Sequence, residues 1–343
     1  MKSALTSTRG EVERTDAFRR NPSLEDLLST VNGLLSSSEQ AALAKYSGVG
    51  KEHPLVFVMG PLRSGTTLFM QWLAETGLAA YPTNLLSRFY GAPVIGAQIQ
   101  LLLTDPRFNF RNEILDFTQS IEFESENGKT HGALAPNEFW YFWRRFLPFG
   151  ELDWLPDEEL LRVVDRAMLV SELTTLTRVF DKPFALKGMI LNYNIPFLDA
   201  LFPQAVFIQI QRDPVANVAS ILQARERQLG SREAWYSFKI REYPKLKQLE
   251  PIMQAAGQLR CIERAVTRGM KHAAESRKLV VQYENFCQQP IAVFAQLAQK
   301  LGIQDARYCG PEHFDVRRGE IANRAAIEQA LAAFENSPGD YLP

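Results

Sequence analysis

The stretch VFVMGPLRSGTTLFMQWL, residues 56–73, constrains this chain more than any other. An apolar run ends at Gly60, a loop of small and turn-forming residues follows, and apolar residues then recur at helical spacing. A buried strand that turns tightly into a helix aims loop N–H groups and the helix N-terminus at one point, and that is how a chain holds a phosphate. Gly60 and Gly65 keep the spacing of the G-x-x-x-x-G-K-[ST] loop, but Thr66 stands where that loop carries its phosphate-reaching lysine. Arg63 supplies a positive charge earlier, inside the loop. With the hydroxyls of Ser64, Thr66 and Thr67, the loop suits an anion of modest charge better than a nucleoside triphosphate with magnesium.

The rest of the chain frames that loop. Its 343 residues are 46% hydrophobic, enough for one large domain with helical additions. A net charge of -1 argues against nucleic acid or an anionic membrane as the main partner. Residues 105–160 carry 12 acids against 5 bases, whereas residues 212–278 carry 14 bases against 7 acids. Such a basic stretch fits either an anionic ligand or a solvated helix surface. Short apolar runs at 55–59, 184–186, 206–211 and 279–282 read as buried parallel strands. Helical patterns at 67–75, 158–180, 215–227, 258–275 and 291–300 lie between and after them. The alternation predicts an α/β fold, a parallel sheet flanked by helices with its ligand at the carboxyl ends of the strands.

Residues 1–50 read as a polar arm and a helix capped by Ser23, 51–310 as the main domain, and 311–343 as a tail. Within the main domain, residues 78–155 form an irregular, aromatic-rich insertion whose EFWYFWRRFLPF stripe reads more readily as core than as pocket. Three widely spaced cysteines read as free thiols, and neither a secretory signal nor a membrane-spanning run is apparent. A cytoplasmic protein is the expectation.

A second motif, AVFIQIQRDPVANVASILQARE, is a strand ending in Arg212, a helix opened by Asp213 and Pro214, and Ser220 eight residues after the arginine. An arginine at a strand end and a hydroxyl two turns into the next helix converge on one phosphate. With GPLRSGTTL, this motif resembles the two nucleotide-binding segments of sulfotransferases, which move a sulfonate from 3′-phosphoadenosine 5′-phosphosulfate (PAPS) to an acceptor. The resemblance spans roughly residues 54–302 in separate islands. It implies a P-loop nucleotide-hydrolase-like sheet of the sulfotransferase type, with PAPS as co-substrate and no metal. Gly65 and its neighbours would face the 5′-phosphosulfate, and Arg212 with Ser220 the 3′-phosphate. Counted back from Arg212, Lys187 in FALKGMILNYN falls where relatives carry a lysine, although a surface lysine at a strand end has the same look. LVVQYENFCQQP resembles the segment that places Tyr283 near the adenine, a role a buried structural tyrosine would mimic.

Sulfonate transfer needs fixed positive charge, here Arg63 and Lys187, and a base for the acceptor hydroxyl. Cytosolic sulfotransferases carry that base two residues after the lysine, where this chain has Met189, and residues 78–104 offer no acid. His131 and Glu138, in GKTHGALAPNEFWYFW, are the candidates, with desolvation among aromatics expected to raise the Glu138 pKa. Structural hydrogen bonding remains open for both. Arg317, Arg318 and Gly319 resemble a C-terminal loop that contacts the 3′-phosphate in cytosolic relatives. The acceptor implied is a hydroxyl compound, a carbohydrate or glycolipid. Two other readings stay open, a nucleotide-binding kinase or NTPase in which Asp213 holds magnesium, and a glycan or lipid binder on the same fold.

Overall fold

The computed structural model describes residues 14, 15, 19, 21–109, 111, 113, 125, 126, 129–316 and 321–335. Arg317, Arg318 and Gly319 lie outside the described residues. Strands β1 (Leu55–Met59), β4 (Phe184–Lys187), β5 (Val206–Gln211) and β6 (Lys278–Gln282) form one parallel sheet in the order β4-β1-β5-β6. A two-residue ribbon, β2 (Ser125–Glu126) with β3 (Lys129–Thr130), stands apart from it. In chain order the helices are α1 (Pro22–Tyr46), α2 (Thr66–Thr76), α3 (Pro93–Thr104), α4 (Trp140–Phe146), α5 (Asp157–Val163), α6 (Arg166–Phe180) and α7 (Ile195–Leu201). They continue with α8 (Pro214–Leu229), α9 (Tyr243–Leu246), α10 (Pro251–Met270), α11 (Tyr283–Gln288), α12 (Pro290–Lys300) and α13 (Arg324–Glu335).

Alternate residues of the central strands feed two cores, as the two-residue period of a strand requires. Phe57, Met59 and Phe207 face α6, α7, α8 and α10, while Val56, Val58 and Ile208 face α2, α11 and α12. Strands β1, β4 and β5 are buried almost throughout, which is why they read as unbroken apolar runs. The fourth strand departs from that expectation. β6 is an edge strand with one face uncovered, so its burial alternates and Val280 is 52% exposed.

Three expected helices differ in their bounds. Residues 158–180 form two helices, because extended Val164 breaks the run and the Asp165 side chain accepts from the Met168 N–H to start α6. The helix expected from 258 begins at Pro251 instead, where the proline takes the first turn and needs no partner for its nitrogen. In α1 the cap is Asn21, whose Oδ1 accepts from the Leu24 N–H at 3.2 Å, and Ser23 lies inside the helix. α1 packs on α3 and α6, and its buried Glu39 accepts from the Val94 and Ile95 N–H groups at the start of α3.

Buried Glu172 of α6 pairs with Arg145 of α4. Burial pushes its carboxyl up to about 7 against the pull of Arg145, and nearby Glu39 adds to the rise. The folded chain therefore holds a proton that the unfolded chain releases above the ordinary 4.5. Stability should fall as pH rises through that window. In urea unfolding at pH 5 and pH 7.5, the wild type is expected to lose stability relative to Glu172→Gln, whereas parallel behaviour would contradict the assignment.

Candidate active site

The loop after β1 is shaped by backbone that only certain residues tolerate. Gly60 has φ 146°, and a Cβ there would sit 2.8 Å from the Ile210 carbonyl oxygen. Arg63 adopts a left-handed φ of 63°, an uncommon conformation for a side-chain-bearing residue that local hydrogen bonds must hold. Gly65, at φ 99°, caps α2, and a Cβ on it would collide with the Tyr283 ring. The first-turn N–H groups of α2 have no intrahelical carbonyl, and Gly65, Thr66 and Thr67 at that end of the helix line the cavity. Asn192 locks the start of the loop, since its Oδ1 accepts from the Gly60 N–H at 3.0 Å and its Nδ2 donates to the Gly60 carbonyl at 2.8 Å.

Arg63 joins the two sequence motifs. Its Nε donates to Ser220 Oγ at 3.1 Å, and Arg212 Nη1 donates to its carbonyl at 2.8 Å. Arg212 lies over the Tyr283 ring, 4.9 Å from its centroid, so Tyr283 is held between Gly65 and the arginine. Burial pushes the Tyr283 phenol up to about 12. Burial likewise lowers the Arg63 pKa, with the Tyr236 hydroxyl and Glu138 opposing and Arg212 adding to the fall. A guanidinium remains charged at neutral pH despite this. Buried Ser64 Oγ and Arg212 Nε have no hydrogen-bond partner among the described residues.

Lys187 ends β4 beside the same loop. Its Nζ donates to Thr67 Oγ1 at 2.9 Å and to Glu138 Oε1 at 2.8 Å, with 4% of its side chain exposed against 27% for Glu138. Glu138 is positioned from behind. Asn137 N donates to the Pro82 carbonyl, Asn137 Nδ2 donates to Asn84 Oδ1, and the Trp140 indole N–H donates to Glu138 Oε2 at 2.5 Å. Burial acts to raise the Glu138 pKa, as expected from its aromatic neighbours. Lys187 by charge and hydrogen bond, then Trp140 and Arg63, outweigh burial and leave the carboxyl below its ordinary 4.5. The expected direction is therefore reversed, because the Lys187 charge and two hydrogen bonds, one from an aromatic neighbour, stabilise the carboxylate more than burial opposes it.

All of this opens into one cavity of about 2060 Å³, lined by Arg63, Gly65, Thr66, Thr67, Glu138, Lys187, Met189, Arg212 and Tyr283. Ser64 and Ser220 lie behind that lining, and His131 is exposed outside it. The aromatic stripe of α4 serves both purposes weighed for it. Phe142 and Trp143 are core, Trp140, Tyr141 and Arg144 line the cavity, and Phe146 does both. Asp213 is spent as a helix cap, accepting from the Ala216 N–H at 2.7 Å. Two residues carried no functional signal in the sequence. Asn192 lies in the FALKGMILNYN stretch, where Lys187 alone stood out, and cavity-lining Tyr236 belongs to a segment outside every motif. Among the described residues no group of three or more His, Cys, Asp or Glu is placed to hold a metal, and no helix is long and apolar enough to cross a membrane.

Removing the loop's anchor tests this geometry. Asn192→Ala leaves the buried Gly60 N–H and C=O unpaired and should destabilise the fold by about 2–4 kcal/mol. Chemical denaturation showing a loss below about 0.5 kcal/mol would contradict the anchoring role.

Comparison with known proteins agrees with the fold. The chain has 15% identity and a TM-score of 0.51 to sulfotransferase STF1 from Mycobacterium tuberculosis H37Rv, covering 95% of this chain and 83% of that one. Sulfotransferase STF9 from Mycobacterium avium has 18% identity and a TM-score of 0.49, covering 95% and 79%. A sulfotransferase from Alicyclobacillus acidocaldarius has 14% identity and a TM-score of 0.42, covering 83% and 94%. Among curated proteins no sequence relative is found. The family model described as Sulfotransferase family matches residues 54–307, a span holding the Arg63 loop, Glu138, Lys187, Arg212, Ser220 and Tyr283, and the chain belongs to that family.

Proposed function

We propose that this enzyme transfers sulfonate from PAPS to a hydroxyl of a carbohydrate or glycolipid acceptor. The observation that carries the reading is the convergence on Arg63, where one residue of the first anion loop is bonded to both Ser220 and Arg212 of the second. The orphaned Ser64 Oγ and Arg212 Nε fit a ligand rich in acceptor oxygens, since each is a buried donor short of a partner. PAPS supplies the sulfonate, whose sulfur bonds to the acceptor oxygen as its bond to the 5′-phosphate oxygen breaks and takes the electron pair.

The chain's own groups divide the work. Ser64, Gly65, Thr66 and Thr67 hold the 5′-phosphate with loop and helix N–H groups and hydroxyls. Arg212 and Ser220 hold the 3′-phosphate, Tyr283 braces Arg212 beside the adenosine, and Arg63 and Lys187 place positive charge where it develops negatively. Glu138 takes the acceptor proton. At rest Lys187 holds its carboxylate in a weakly basic state, and an anion that draws Lys187 away raises its basicity when a base is needed. His131, exposed outside the cavity, takes no part in this scheme. For the acceptor, Tyr90, Trp140, Tyr141 and Trp235 offer flat rings for sugar faces. The kinase reading loses support because Asp213 is committed to its helix cap.

Turnover of sulfur-labelled PAPS against glycan, glycolipid and simple alcohol acceptors tests the reading. Label should pass to a sugar hydroxyl, unaffected by a metal chelator, and Lys187→Ala or Glu138→Gln should each reduce kcat at least about 100-fold. Arg212→Ala should chiefly raise the KM for PAPS. Label transfer that survives Glu138→Gln unchanged would remove the assigned base, and no transfer to any acceptor would remove the reading itself.

A further inference from the structure

Part of the cavity wall comes from residues 233–239, between α8 and α9, which no motif marks. Within it Tyr236 is fixed at both ends by glutamines. Gln228 Nε2 donates to the phenol oxygen at 3.1 Å, and Gln258 Nε2 donates to the Tyr236 carbonyl at 3.1 Å. Both glutamines are buried, at 7% and 0% exposure. One buried amide is spent on the phenol and another on the backbone that carries it, more than a packing tyrosine needs, because a phenol at a cavity wall can meet its requirement from water. Supporting shells of this kind are found behind groups whose position matters to chemistry.

The direction of the phenol proton follows from these bonds. Gln228 occupies an oxygen lone pair as donor, so the Tyr236 O–H must donate elsewhere, and the ring lines the cavity that holds Arg63, Lys187 and Glu138. The hydroxyl also lies within electrostatic reach of both Arg63 and Glu138. Burial first, and then Glu138, raise its pKa above the ordinary phenol value, while Arg63 pulls the other way. It is therefore a neutral donor throughout the neutral range.

We propose that Tyr236 is a catalytic residue of this site, its hydroxyl donating a hydrogen bond to an equatorial oxygen of the sulfonate as negative charge builds there. The inference rests on the sulfonate-transfer reading above. It adds a third donor, uncharged and held in place beforehand, to the two cations. Such a donor acts mainly in the transition state and so bears on kcat more than on donor affinity. No bond to Tyr236 forms or breaks, and its proton stays on the phenol.

Tyr236→Phe, which keeps the ring and removes the donor, is the test. Steady-state turnover with labelled PAPS should show kcat lowered about 10- to 100-fold with the KM for PAPS within about two-fold of wild type. Calorimetric affinity for adenosine 3′,5′-bisphosphate and the melting temperature should stay at wild-type values. Gln228→Leu, which removes the amide that aims the phenol, should lower kcat by a smaller factor. Wild-type kcat in Tyr236→Phe overturns this proposal alone. A kcat loss accompanied by equal losses in bisphosphate affinity and melting temperature overturns it in favour of a structural role. Absence of turnover in the wild type overturns the parent reading and this one together.

Discussion

The site depends on Arg63 standing in a left-handed conformation at the middle of its loop, with Ser220 accepting from its side chain and Arg212 donating to its carbonyl. An arginine in that conformation is strained by roughly 1–3 kcal/mol, which the surrounding bonds must offset. The sheet makes those bonds available. β1 pairs with β5, so the loop leaving β1 and the arginine ending β5 emerge side by side at the carboxyl edge. β4 pairs with β1 on the other side and delivers Lys187 to the same edge. Three neighbouring strand ends thus set three cations around one loop, an arrangement open parallel sheets offer at that edge.

Three cations around one loop repel one another, and among the described residues Lys187 is the one of the three with a carboxylate ion pair. Lys187 is 4% exposed, and a buried ammonium without a counter-ion would lose its proton or destabilise the fold. Glu138 removes that penalty in the resting protein while Thr67 takes a further donor position. Arg63 and Arg212 instead lean on a hydroxyl, a carbonyl and a tyrosine ring, with Glu138 acting on Arg63 through space. Under the proposed function an anion arriving at the loop would supply further negative charge, and these contacts would favour a doubly anionic ligand.

Much of this was legible in the sequence because it is local. The Gly60 to Gly65 spacing, the strand runs at 55–59 and 206–211, and the Arg212, Asp213 and Pro214 helix start each encode their geometry within a few residues. What stayed hidden depends on residues far apart in sequence. Asn192 reads as an ordinary turn residue until Gly60 is seen between its amide atoms, 132 residues away. The direction of the Glu138 pKa was misjudged because aromatic neighbours are visible in the sequence and Lys187, 49 residues on, is not. β6 looked like its buried neighbours because edge position is a property of the sheet, and the break before α6 turned on one capping aspartate. Tyr236 had no motif, since its placement comes from two glutamines on separate helices.

The central claim is that two anion pockets meet at Arg63 and together accept one nucleotide. Isothermal titration of adenosine 3′,5′-bisphosphate and of adenosine 5′-monophosphate, without metal, tests it most directly. The account predicts that the bisphosphate binds at least about 100-fold more tightly and that Arg212→Ala removes most of the difference, since a charge-assisted phosphate contact is worth about 1.5–3 kcal/mol. Equal affinity for the two nucleotides, or discrimination that survives the loss of Arg212, would contradict it.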